Sequence, residues 1–176
     1  MHKDTLPTRV DPFRFADNNI SMQGHLPLSG MTRIAQSLLS TEGLVEVDLH
    51  FGRDEEKIRY VKGHLETTLV LQCQRCMEPY NYAIIADFAS GIVGSVKDAD
   101  RLPKRYDPIM SEDGNLNLSE MVEDELIISL PIVPLHKQNE CKVRIKQDFS
   151  SKEIKEVPKD NPFKVIELLR SQRDKK

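Results

Sequence analysis

IRYVKGHLETTLVLQCQRCMEPYNYAIIADFASGIV, residues 58–93, is the stretch that decides the fold. Its first half, Ile58–Gln72, has too many β-branched and alternating residues for a helix and reads as one long strand. Val61, Leu65, Thr67, Leu69 and Leu71 form its inward set. Gly63 interrupts that set and marks either a bulge or a close backbone approach. Pro79–Val93 is extended again, with Tyr80, Tyr82, Ile84, Ala86 and Phe88 on one face. Two long strands joined by a few residues make a hairpin of about 58–72 and 79–93. Cys73 and Cys76 then sit at its tip.

Further strands are expected before the hairpin. Val45, Val47, Leu49 and Phe51 alternate with Glu46, Asp48 and His50, the pattern of a half-buried strand. Ile20–Leu28 is extended as far as Pro27, and Leu6–Pro12 can hold a short edge strand, where proline is tolerated. Between them Met31, Ile34, Ala35, Leu38 and Leu39 follow helical spacing, and Ser29 is a candidate N-cap, so a helix is predicted over about 30–40. After the hairpin comes a polar loop, 94–105, and a short strand at Tyr106–Met110. Asn117 and Glu120 then have capping-box spacing and open a helix over about 118–130, which Pro131 must end. Asn161-Pro162 starts a last helix, about 162–170. The expected fold class is α+β: a largely antiparallel sheet with a long central hairpin and about three helices. The strands do not alternate with crossover helices, so a doubly wound parallel sheet is excluded. One domain is expected over residues 1–176, with a charged, mobile segment at 137–160 and a frayed tail at 171–176.

The chain has 176 residues, 39% of them hydrophobic and 30% charged. That composition is globular, and no apolar run approaches the roughly 20 residues of a membrane span. The first residues lead into no apolar stretch, so export is not expected. The net charge is -3, unevenly spread. Residues 86–136 carry 4 basic and 10 acidic side chains, whereas residues 137–176 carry 12 and 7. The acidic middle and the basic end suit different partners, although a mixed solvated surface gives the same pattern.

Three cysteines in a chain without export features argue for reduced thiols rather than disulfides. Cys73-Gln74-Arg75-Cys76 is a C-x-x-C in a tight turn, which can aim two thiolates at one metal ion. His136 and Cys141 could complete a Cys3His set, and zinc is the candidate cofactor. The alternative is a pair of plain thiols at a hairpin tip. A thioredoxin-type redox pair is disfavoured, because that motif opens a helix and this one is flanked by strands. Glu120, Glu123, Asp124 and Glu125 make an acidic helix. It can be a solvated first turn complementing the helix dipole, or, with Arg75, a partner-binding face. A third possibility is a carboxylate cluster for a nuclease metal. No P-loop, G-x-G-x-x-G or G-x-S-x-G is present. Lys142, Arg144 and Lys146 are the RNA-binding candidates on charge alone, since phosphates dominate such affinity.

Several segments together resemble one family. They are Leu71-Gln72-Cys73-Gln74-Arg75-Cys76, the acidic helix running from Met121 into Pro131-Ile132-Val133-Pro134-Leu135-His136, Asn161-Pro162-Phe163, and the opening Leu6-Pro7 with Asp11-Pro12. This set resembles the YceD family of large ribosomal RNA subunit accumulation proteins, over nearly the whole chain and in the same order. The resemblance implies a bacterial cytoplasmic, non-enzymatic factor in synthesis, processing or stability of large-subunit (23S) ribosomal RNA. The implied partner is that RNA or its precursor, reached directly or through a ribosomal protein or processing factor, with no membrane involved. The alternatives are an adaptor that docks through the acidic helix and a metal-dependent nuclease.

Overall fold

A computed structural model describes residues 5–111 and 113–143. The predicted helix at 162–170, the tail at 171–176 and most of the charged segment 137–160 lie outside the described residues. So does the end of the expected single domain.

Five strands form the main sheet: β2 (Ser21–Pro27), β3 (Leu44–Arg53), β4 (Arg59–Gln72), β5 (Pro79–Val93) and β6 (Asp107–Met110), in that spatial order. β2, β3, β4 and β5 pair antiparallel, and β6 joins β5 in parallel. Two short strands, β1 (Arg9–Val10) and β7 (Leu116–Asn117), pair separately. The fold class is α+β, and the long hairpin is β4–β5, paired without a break from Tyr60↔Gly91 to Gln72↔Pro79.

Alternation sorts the hairpin's faces. Val61, Leu65, Leu69 and Leu71 are buried with Val45, Val47, Leu49 and Phe51 of β3 and Ile84 and Ile92 of β5. Helix α3 (Leu118–Ser129) covers this face with Leu118, Met121, Val122 and Leu126. The other face carries Glu46, Asp48, Glu66 and Asp87, all exposed. Gly63 is no bulge, because Leu49↔Gly63 and Gly63↔Phe88 are in unbroken register. It is a close approach: a Cβ there would lie 2.1 Å from the Phe88 ring and 3.0 Å from Leu49 Cδ2.

The helix expected at 30–40 is not one helix. Two 3₁₀ turns, Leu28–Gly30 and Ile34–Ser37, stand in its place. The apolar spacing was a true burial signal, since Met31 and Ile34 are each 1% exposed. A continuous helix would return the Ile34 N–H to the carbonyl four residues back. Instead the N–H groups of Arg33 and Ile34 both donate to Glu123 Oε1 of α3, at 2.6 and 3.0 Å. Ser29 caps nothing. Two short helices had no sequence expectation. In α1 (Pro12–Asp17), Asp11 caps the Arg14 N–H and Pro12 takes the first turn. α2 (Val96–Ala99) lies in the expected loop and is capped by Ser95. α3 begins as expected, with Asn117 Oδ1 accepting from Ser119 and Glu120, and ends at Leu130, which is extended ahead of Pro131. Among the described residues no helix is long and apolar enough to cross a membrane.

The Gly63–Phe88 contact gives a stability test. Gly63→Ala should cost about 1–3 kcal/mol in urea denaturation, as overpacked sites do. Gly30→Ala, where nothing lies within 4 Å of the added Cβ, should change stability far less.

Candidate metal centre at the hairpin tip

β4 ends at Gln72, and the next residues close a compact turn. The Cys73 N–H donates to Glu78 O at 2.9 Å, and the Met77 N–H to Cys73 O at 2.8 Å. Met77 takes φ +60°, the left-handed turn that lets the chain reverse after Cys76. N–H groups of Arg75 and Cys76 point at the Cys73 sulfur, and that of Glu78 at the Cys76 sulfur. The turn thus cradles two sulfurs.

A strap from further along the chain closes over this turn. Beyond α3 the stretch expected to be extended bends at Ile132 and Val133, and the Gln74 N–H then donates to Pro134 O at 2.9 Å. His136 follows. Its N–H points at Cys73 Sγ, 3.5 Å away, and its Nδ1 lies 3.3 Å from Cys76 Sγ. A turn at 137–141, with the Cys141 N–H on Lys137 O at 3.2 Å, returns Cys141 to the same place. The ligand atoms of Cys73, Cys76, His136 and Cys141 all lie within 4.8 Å of one another. A tetrahedron with sulfur bonds near 2.3 Å has edges of about 3.8 Å, so closure onto an ion needs only small shifts. Cys73 and Cys141 are buried, while Cys76 and His136 are half-buried.

The electrostatics fit a cation. Burial pushes the Cys73 thiol up. Against it, the N–H groups of His136, Cys76 and Arg75 and the His136 ring favour the thiolate, and the pKa falls from 9.0 to about 5. Burial raises the Cys76 thiol, and the Cys73 and Cys141 sulfurs raise it further against the Glu78 N–H. One thiolate therefore forms readily and repels the next, an arrangement that a divalent ion at the centre relieves.

Two supports around the cluster were not among the expected site contacts. The Tyr80 ring packs against His136 with centroids 4.9 Å apart. Lys142 Nζ pairs with Glu78 at 2.8 Å, so this RNA-binding candidate also ties the strap to the hairpin. Tyr80 lies four residues after Cys76, which is the one hint the sequence held. Arg144 and Lys146 lie outside the described residues.

The acidic helix does not present one face. Glu123 is 4% exposed and faces inward. Besides the two backbone donors, it accepts from Arg33 Nε at 3.0 Å, and Arg33 Nη1 reaches Asp124 at 2.5 Å. Glu120 and Asp124 are exposed, and Glu125 is half-buried. Burial, with Asp107 and Asp124 nearby, pushes the Glu125 carboxyl up. Arg75 is half-buried in the turn, with its N–H spent on Cys73. Among the described residues the Cys/His cluster, and no carboxylate group, brings three or more ligand atoms together.

The family profile described as Large ribosomal RNA subunit accumulation protein YceD matches residues 61–170. The chain is also similar, at 34% identity over 172 residues, to the Large ribosomal RNA subunit accumulation protein YceD of Haemophilus influenzae. That alignment covers 97% of this chain and 99% of the relative. No solved structure matches the chain significantly.

The Glu123 contacts give a second stability test. Glu123→Ala strands two backbone N–H groups, one of them buried, and should cost roughly 1–3 kcal/mol in thermal or urea unfolding. Asp124→Ala removes only an exposed ion pair and should cost less than about 1 kcal/mol.

Proposed function

The chain belongs to the YceD family, and on that premise we propose that it is a non-enzymatic factor in the accumulation of large-subunit (23S) ribosomal RNA, with zinc as a structural ion at the hairpin tip. The observation that carries the role is the relatedness itself: the relative named for this role aligns over 97% of the chain. The cytoplasm, where ribosomal RNA is processed and assembled in bacteria, is the compartment that fits. The RNA or its precursor is the target, reached directly or through a ribosomal protein or processing factor. If the contact is direct, the basic end of the chain, with Lys142, Arg144 and Lys146, offers the phosphate-binding charge.

The donor set supports zinc. Three sulfurs and one imidazole are the soft and borderline ligands that zinc takes in closed four-coordinate sites, with no position left open for catalysis. Cys73, Cys76, His136 and Cys141 would hold it, with Tyr80 and the backbone N–H groups fixing the ligands. The metal-dependent nuclease has less support, because Glu123 is committed to Arg33 and to backbone donors.

Two measurements check the reading. A deletion strain should show a lowered ratio of 23S to 16S ribosomal RNA, restored by the intact gene; an unchanged ratio would end the proposed role. Protein purified without chelator should hold about one zinc per chain by elemental analysis, and Cys73→Ser should lose it. Occupancy should also fall on acidification, since protons compete with metal for thiolates and imidazole. Metal-free protein with the same thermal stability as Cys73→Ser would reduce the cluster to plain thiols.

A further inference from the structure

The strap that the cluster would anchor is apolar and, among the described residues, largely exposed. Ile132 is 100% exposed and Val133 56%, and Ile128 in the last turn of α3 is 78% exposed. Ile132 lines an open groove of about 330 Å³ whose wall mixes Leu38, Leu39 and Leu130 with Gln36, Gln72 and Gln74. Leu39 on its far wall is 50% exposed. Isolated exposed apolar residues are ordinary, whereas a run of them beside a groove marks an interaction site.

The charge beside this run is net acidic: Arg33 pairs with Glu123 and Asp124, and Glu120 adds a further carboxylate. Asp124 and Glu120 are exposed one and two turns before Ile128 on α3, so they share its face. Glu120, Asp124 and Asp113 line a neighbouring cleft against a single cation, Arg9. From Glu120 to Ile128 the helix rises about 12 Å, some two turns. An occupant lying along this surface meets carboxylates at one end and apolar side chains at the other. Nucleic acid is a poor fit, because its phosphates would face carboxylates and its charge would lie over Ile128 and Ile132. An amphipathic segment with lysine or arginine beside its apolar stripe matches both halves.

We infer that the Ile128–Val133 surface, with the groove beside it, docks a basic amphipathic segment of a partner protein. The inference rests on the proposed role, since it names the kind of partner through which the chain would reach ribosomal RNA. The two fail separately, because the RNA ratio in a deletion strain and peptide binding to purified protein are independent readouts.

The first test uses the full chain purified without chelator and two fluorescein-labelled 18-residue helical peptides. Both carry leucine at i, i+3, i+4 and i+7; the remaining positions are lysine in one and glutamate in the other. The lysine peptide should bind at least ten times more tightly than the glutamate peptide. Ile128→Asp and Ile132→Asp should each weaken it at least fivefold, and Glu120→Lys should weaken it and flatten its salt dependence. Ile85→Asp, at an equally exposed isoleucine on β5, should leave binding unchanged. Equal binding of both peptides, no binding, or indifference to Ile128→Asp and Ile132→Asp would overturn the inference. The second test places a photocrosslinking amino acid at position 132 in cells. The expected adduct maps to a lysine- or arginine-rich amphipathic segment of another protein. Adducts to RNA or to a second copy of this chain, or no adduct, would overturn it.

Discussion

The β4–β5 ladder is the constraint on which the rest depends. Its unbroken pairing spans Tyr60 to Gln72 against Pro79 to Gly91. At about 3.3 Å per residue, β4 alone runs roughly 45 Å. The end of this ribbon away from the tip pairs with β3 and packs against α1; the other carries Cys73 and Cys76 past the β3 ladder, which reaches along β4 only as far as Glu66. Register fixes both at once. A slip of one residue would turn Val61, Leu65 and Leu69 out to solvent and displace the thiols from the strap. The Gly63–Phe88 contact opposes such a slip, because the ring fits only where a side chain is missing.

The second long-range tie joins α3 to the 3₁₀ turns. Glu123 brings a carboxylate into a buried position, which is costly unless every lone pair finds a donor. Two backbone N–H groups and the Arg33 guanidinium supply them. The same contacts explain why residues 30–40 do not continue as a helix. Their amides are held by a partner about 90 residues away in sequence, so local spacing was overridden by tertiary structure.

Legibility in the sequence followed the range of the interactions. The hairpin, the β3 alternation and the Asn117 cap depend on neighbouring residues and were readable from period and capping chemistry. The four members of the Cys/His cluster were legible as a set because thiols and imidazoles are chemically distinctive whatever their separation. The fate of Glu123 was hidden, since a run of Glu120, Glu123, Asp124 and Glu125 does not say which carboxylate turns inward. Nor could charge foretell that Lys142 would pair with Glu78. Helix α1 was missed because six residues give too short a window for periodicity, although the Asp11-Pro12 pair held its start signal.

The strap raises the question of what holds it. Hydrophobic burial scales with apolar area removed from water, and Ile132, Val133 and Leu135 keep much of theirs exposed. Its attachments include the Gln74–Pro134 hydrogen bond, the His136 contacts with the Cys73 and Cys76 sulfurs, the Tyr80–His136 ring contact and the exposed Lys142–Glu78 pair. Each is worth at most about a kcal/mol or so. Ordering a dozen residues costs roughly 1 kcal/mol or more for each backbone unit, so these contacts alone fall short. Buried thiols of Cys73 and Cys141 add little to that sum without a common partner. The proposed tetrahedral ion, bonded to all four side chains, would close the gap, because metal–ligand energy becomes folding energy where ligands come from separate segments. The strap's apolar side chains would then be free to face outward, and the surface they form would last only as long as the hairpin tip held them in place.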